Sequence, residues 1–88
     1  MSTTVAKSLA VLKKYDDETV IQLIDSAHQY FLDPSNFPLK RLTAEARAPF
    51  SAIYSVFKKS GIKVYQEVNE ISLSKTVKAH LLDKIVKI

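Results

Sequence analysis

An apolar stripe that keeps its phase through a proline is the feature that most constrains this fold. Apolar residues recur at alternating spacings of three and four, at Leu39, Leu42, Ala46, Phe50, Ile53 and Phe57. This spacing places them on one face of an α-helix. A helix that restarted at Pro49 would have no reason to keep that register, and Ala48 is a poor N-cap. The pattern therefore predicts one helix kinked at Pro49, whereas the alternative is that Pro49 begins a new helix.

Helix signals also precede this stripe. The first helix is predicted from about Thr4 to Tyr15, with Ser2 or Thr3 as its cap. Its apolar face carries Val5, Leu9 and Leu12.

The second helix is predicted to begin after Asp16 or Asp17, because either carboxylate caps a helix and favours its positive end. Its stripe consists of Val20, Ile24, Ala27 and Phe31. The turn formers of "DPSNFP", among them Pro34, end this helix and reverse the chain. Phe37 is expected to enter the core beside the turn.

The segment 62–73 has two interpretations. Ile62, Val64, Ile71 and Leu73 alternate as two short strands would, around a possible hairpin turn at "QEVNE". Helical spacing competes, since Val64, Val68 and Ile71 share a helical face. We favour the helix because the segment lacks an Asn-Gly or Asp-Gly turn.

Signals for helix ends flank the segment 62–73. Gly61 is predicted to be the left-handed residue that follows the third helix. Ser74 is predicted to cap a last helix. The apolar strip of that helix consists of Val77, Leu81, Ile85 and Ile88.

These patterns predict an all-α fold, an antiparallel four-helix bundle with a kinked third helix. A single glycine and three prolines argue against a turn-rich β-sandwich or barrel. The 88 residues, of which 47% are hydrophobic and 25% charged, suit one domain spanning 1–88. The predicted core consists of Leu9, Leu12, Ile24, Phe31, Leu42, Phe50, Ile53, Phe57, Leu81 and Ile85.

The chain is expected to be cytoplasmic and not to insert into a membrane. It contains no cysteine, and its N-terminal segment lacks the long apolar run of a signal peptide. No stretch approaches the roughly 18 apolar residues of a membrane span. The net charge of +4 is scattered along the chain and forms no basic tract.

Side chains suited to catalysis or cofactor binding are not grouped in the sequence. His28 and His80 fall in different predicted helices with no metal-ligand spacing around them, so we expect surface or boundary histidines and no metal site. No phosphate-binding loop or nucleophile motif occurs, and the acidic residues do not pair on one helical face. We therefore predict a non-enzyme without cofactors.

A winged-helix DNA-binding protein is one alternative. Lys58, Lys59 and Lys63 cluster near the possible hairpin. However, a helix C-terminus attracts lysines in any protein, and the exposed face of the third helix carries few of the Arg, Asn and Gln residues that read bases. Nucleic acid is therefore a less favoured partner than protein.

The stretch "RLTAEARAPFSAIYSVFKKSGIKVYQEVNEI" resembles the immunity proteins that protect lactic-acid bacteria from pediocin-like bacteriocins. The resemblance covers about residues 38–72 and rests on the pair Arg41 and Leu42, on Glu45 just after it, and on a lysine-rich turn into "IKV". It implies a cytosolic antiparallel four-helix bundle that associates with the bacteriocin-bound sugar permease of the membrane. It also implies that the C-terminal half discriminates among bacteriocins.

The predicted partner-binding surface lies on the last helix, at Lys78, Lys84, Lys87 and Ile88. The lysines have no obvious partner within that helix apart from Asp83, and spare charge on a terminal element suits recognition. The plain alternative is a solvated face. The predicted function is non-catalytic protein–protein interaction, either bacteriocin immunity or the role of a small adaptor or subunit in a larger complex.

Overall fold

Helices form all the regular structure that the computed structural model shows in residues 4–59 and 61–87. Within these ranges lie five α-helices: α1 (Thr4–Ala10), α2 (Asp17–Leu32), α3 (Ala44–Lys58), α4 (Ile62–Glu70) and α5 (Lys75–Val86). Three short 3-10 helices connect them, at Val11–Lys14, Pro34–Asn36 and Leu39–Arg41. The predicted all-α class is confirmed, while the predicted count of four helices is too low for the described residues.

Side-chain caps fix the start of three helices. The Asp16 carboxylate accepts a hydrogen bond from the amide of Thr19 at 3.1 Å, which also lowers the pKa of Asp16. The hydroxyls of Thr43 and Ser74 accept from the amide three residues later, at 3.1 and 3.2 Å. The caps at Asp16 and Ser74 agree with the sequence patterns, whereas the one at Thr43 was not predicted. Residues Ser2 and Thr3, predicted as caps of α1, lie outside the described residues.

Pro49 lies inside α3, so the prediction of one continuous helix at this position is confirmed. The kink itself stays a prediction. A proline has no amide hydrogen to donate to the carbonyl four residues earlier, here that of Glu45. The Tyr15 hydroxyl donates to this carbonyl oxygen instead, across 3.4 Å. The proline ring is itself buried, and its contacts further offset the lost helical hydrogen bond.

The third helix begins later than the apolar stripe indicates. Leu39 belongs to a 3-10 helix and is 42% exposed, and Leu42 is the C-cap of that short helix. The predicted core position of Leu42 is corrected to a half-buried one, packed against the core surface. Spacing misleads here because a 3-10 helix repeats every three residues and keeps Leu39 and Leu42 in phase with α3.

The core joins residues from all five helices. Every predicted core residue except Phe31 and Leu42 is buried, and those two are half-buried against it. Phe37 is also half-buried there, as predicted beside the turn. The buried apolar residues that the predicted core did not include are Val5, Val20, Leu23, Ala27, Val56, Val64, Val68 and Val77.

Residues 62–70 are helical, which confirms the helix over the hairpin. Gly61 directly precedes α4 with φ +148° and ψ 174°, so it is not the left-handed cap that was predicted for the third helix. That helix ends at Lys58. The Gly61 backbone still lies in a region that glycine occupies and other residues rarely do.

Helix α2 packs against both α3 and α5. Helix α1 contacts α3 and α4, and α4 contacts α5. The turn after α2 and the 3-10 helix at 39–41 carry the chain back to the start of α3. This return path places the segment before α3 beside the exposed edge of the α2–α3 pair.

Candidate functional site

A groove of about 420 Å³ opens beside the contact between α2 and α3. Four of its lining residues come from one face of α3, at spacings of three and four, and Tyr30 comes from α2. The segment that precedes α3 supplies the rest. Its lining residues are Tyr30, Leu39, Lys40, Leu42, Arg47, Phe50, Ser51 and Tyr54.

Aromatic rings form the wall of this groove. The ring centroid of Tyr30 lies 5.1 Å from that of Tyr54 and 5.9 Å from that of Phe50. Phe50 and Tyr54 lie nearly parallel, with 9° between their planes and 6.5 Å between centroids. Phe37, which does not line the groove, supports these rings from behind, since it stacks on Phe50 at 5.8 Å and meets Tyr30 at 6.1 Å. These mutual contacts hold the rings in place and present flat apolar surface with two phenol hydroxyls.

Positive charge surrounds the aromatic wall. Lys40 and Arg47 line the groove and are exposed. Neither forms an ion pair with a carboxylate in the part of the chain that the structure describes. The Lys58 ammonium lies 5.7 Å from the centroid of the Tyr54 ring, a cation–π distance. The groove therefore combines an apolar surface with unpaired cations.

The predicted surface on α5 looks different. The Lys78 ammonium donates to the backbone carbonyl of Asn69 at 2.9 Å, and Lys84 lies 3.7 Å from the carboxylate of Asp25. Lys87 pairs with Asp83 four residues earlier, at 3.0 Å. The expectation of spare charge is therefore corrected for Lys84 and Lys87, whereas Lys78 contacts only a backbone carbonyl and its charge forms no ion pair with a described residue. Ile88 lies outside the described residues, and the role of this surface in partner binding stays a prediction.

The Lys87 hydrogen bond lowers the pKa of the Asp83 carboxyl, because it stabilises the charged form. Both side chains of this pair are more than half exposed, so solvent screens the pair. The pair gives the Lys87 ammonium a partner but contributes little to the stability of α5.

A cluster of titratable side chains joins α2 to α5. His80 Nε2 lies 2.7 Å from Asp25 Oδ1, and Lys84 approaches the same oxygen. His28 is buried beside them, which corrects the expected surface or boundary position. Its Nε2 atom has no hydrogen-bond partner, and its ring meets Phe57 edge-on at 5.7 Å. Burial, and then the nearby Lys84, lower the pKa of His28.

The described residues show no group of three or more His, Asp or Glu side chains that are placed to hold a metal ion. None of the described helices combines the length and the apolar character that crossing a lipid bilayer requires. The hairpin of a winged helix is replaced by α4, because residues 62–70 are helical. Lys63 therefore stands on a helix and not on a wing.

Sequence patterns contained part of the groove. Arg47, Phe50, Ser51 and Tyr54 repeat at the spacing of one helical face, and this face was readable once α3 was recognised. The contributions of Tyr30 and of segment 39–42 depend on how the chain folds back, which no local pattern encodes. Comparison of the chain with protein-family models, with curated proteins and with solved structures found no significant match.

Proposed function

We propose that this chain is a non-catalytic binding protein, which holds an apolar side chain of a partner protein in the groove beside α2 and α3. The observation that carries the proposal is a groove in which the half-buried rings of Tyr30 and Tyr54 adjoin buried Phe50, with cations at its edge that form no ion pair with a described residue. Tyrosine and arginine are enriched at the energetic centres of protein interfaces, where one anchoring residue fills a pocket. The groove provides Tyr30, Tyr54 and Arg47 for such a centre.

The groove also meets a physical requirement for affinity, which is preorganisation. Its rings are held by one another and by the buried core behind Phe50, so few rotamers are lost on binding. The Thr43 cap fixes where α3 begins and thereby where Arg47 stands. A partner therefore meets a surface that is already in its binding arrangement.

Bacteriocin immunity is the specific form of this proposal. The stretch that resembles pediocin-like immunity proteins, about residues 38–72, contains every groove residue except Tyr30. An all-α fold is also what the resemblance implies. In this form, the chain acts in the cytoplasm by association with a bacteriocin-bound membrane permease. An adaptor or subunit of another complex would use the same surface with a different partner.

Site-specific cross-linking tests the binding function. A photoreactive phenylalanine analogue in place of Leu39, which is exposed at the groove, should form an adduct with one cellular protein. The substitution Ser51→Phe fills the groove from the exposed side of α3 and should abolish that adduct. Gln66→Phe, on the exposed face of α4, is the matched control and should leave it unchanged. An adduct that survives Ser51→Phe would show that the partner does not use the groove.

A challenge assay tests the immunity form. The wild-type chain, expressed in a strain sensitive to pediocin-like peptides, should confer resistance, and Ser51→Phe should remove it. If the wild-type chain confers resistance to no such peptide, the immunity function is contradicted. The cross-linking experiment then tests whether the chain is an adaptor or subunit. If charge reversal of Lys78, Lys84 and Lys87 to glutamate removes resistance while Ser51→Phe does not, the site is on α5.

A further inference from the structure

We infer that the groove selects a partner segment in which one aromatic or large aliphatic residue is flanked by carboxylates. This inference rests on the proposed binding function and adds the chemistry of the partner. It follows from two observations, the shape of the aromatic wall and the state of the charges beside it.

The wall explains the apolar anchor. Phe50 and Tyr54 lie nearly parallel and Tyr30 is tilted against both, by 59° and 55°. Because Phe50 is buried, a flat ring of the partner meets the half-buried rings of Tyr30 and Tyr54, where it can stack on one and meet the edge of the other, the two arrangements that aromatic pairs prefer. The volume of about 420 Å³ suits one large side chain and part of its backbone, and not a whole folded element.

The charges explain the flanking carboxylates. Lys40 and Arg47 form no ion pair with a described residue, as is also true of other exposed lysines, but these two line the groove. Unpaired cations beside an apolar surface attract carboxylates, and a guanidinium accepts one in a two-pronged geometry.

The two cations stand on separate elements, Lys40 on the 3-10 helix before α3 and Arg47 on α3 itself. Both line the same groove. A single anchoring side chain in that groove therefore has a cation available from each element. We expect the partner to place an acidic residue toward each of them. The net charge of +4 further disfavours a basic segment.

Tryptophan fluorescence gives a direct test, because this chain contains no tryptophan. Three peptides of equal length would carry one central tryptophan flanked by glutamate, by glutamine or by lysine. Burial of the indole in the groove shifts its emission to shorter wavelength with no background from the protein. We expect the glutamate peptide to bind about tenfold more tightly than the glutamine peptide and the lysine peptide to bind most weakly, as complementary charge requires.

Charge reversal locates the effect. The variant Lys40→Glu/Arg47→Glu should lose at least about tenfold in affinity for the glutamate peptide and gain affinity for the lysine peptide. Its control is Lys7→Glu/Lys63→Glu, which changes the net charge equally at exposed positions of α1 and α4. The control should change affinity by less than about twofold at physiological salt, where exposed charges are screened beyond roughly 8 Å.

The outcomes separate this inference from the proposed function. If all three peptides bind equally and Ser51→Phe abolishes their binding, the groove is a binding site but does not select by charge, and this inference is overturned. Glutamate-peptide affinity that is the same in both double variants would overturn the roles of Lys40 and Arg47. If dodecanoate displaces a fluorescent fatty acid from the groove while no peptide binds, the ligand is a small amphiphilic acid and the inference is wrong. The cross-linking result at Leu39 then decides independently whether the groove binds a protein.

Discussion

Replacement of His28 by leucine should make the protein more stable, and the gain should grow as the pH falls. The side chain is 9% exposed, and its Nε2 atom has no hydrogen-bond partner. A buried polar atom without a partner costs roughly 1–3 kcal/mol, which leucine avoids with a side chain of similar size. The edge contact with Phe57 is lost, which costs about 0.5–1.5 kcal/mol. The net expectation near neutral pH is therefore a gain of about 1 kcal/mol in the free energy of unfolding.

The pH dependence follows from the lowered pKa of His28. Burial is the main cause of this shift, and Lys84 and Lys87 lower the pKa further while Asp25 and Asp83 oppose them. The unfolded chain, with a histidine pKa of about 6.5, binds the proton more readily than the folded chain. The folded protein is therefore not destabilised by His28 protonation above pH 6.5. Its free energy of unfolding decreases as the pH falls from 6.5 toward the lower pKa of His28 in the folded chain.

Urea denaturation of wild type and His28→Leu at pH 7.5 and at pH 5 measures both effects. Melting curves should show a midpoint about 4–8 °C higher for the variant near neutral pH, as expected for a domain of this size. Comparing the two proteins at each pH cancels the contributions of His80 and the carboxyls to a first approximation. A stability difference that is equal at both pH values, or a variant less stable than wild type at both, would refute the assigned burial of Nε2.

Four further substitutions test the core, the proline, the Tyr15 hydroxyl and the glycine. Phe57→Ala should lower the free energy of unfolding by about 3–5 kcal/mol in urea titrations, because the ring is fully buried. Pro49→Ala should raise stability by about 1 kcal/mol, since the regained amide hydrogen bond to Glu45 and the relieved clash outweigh the lost ring contacts; a melting temperature below wild type would contradict this. Tyr15→Phe should cost about 0.5 kcal/mol in wild type and less when combined with Pro49→Ala, as a double-mutant cycle measures. Gly61→Ala should cost about 1–3 kcal/mol in the same titrations because of its φ of +148° alone, as the nearest atom to an added Cβ is 4.0 Å away.

The phase of apolar residues predicted most of the helices. Val64 and Val68 are four residues apart and both are buried. Burial of this apolar face is what stabilises α4, so apolar spacing predicted the helix correctly. Phase failed at the start of α3, where Leu39 and Leu42 kept the register without being in the helix. Helix α3 begins after Thr43 because the Thr43 hydroxyl accepts a hydrogen bond from the amide of Ala46. The spacing of apolar residues does not reveal such a cap.

His28 shows a different limit. It follows Ala27 and lies four residues after Ile24, so its position on α2 faces the core. Its polar ring led us to predict a surface or boundary position. Buried polar side-chain atoms usually have a hydrogen-bond partner, and Nε2 of His28 has none. Only the α3 face of the groove could be read from the sequence, because Tyr30 and Arg47 line one cavity only when α2 and α3 pack together.

Pro49 also bears on how firmly the start of α3 is held. Because residue 49 has no amide hydrogen, α3 lacks the backbone hydrogen bond to the Glu45 carbonyl, and its first turn is held by one bond fewer. Arg47 stands on that first turn, whereas Tyr54 stands beyond the proline. The Tyr15 hydroxyl donates to the Glu45 carbonyl and so supplies a replacement contact that holds this turn in place. We expect amide hydrogen exchange to be faster at residues 47 and 48 than in residues 50–58.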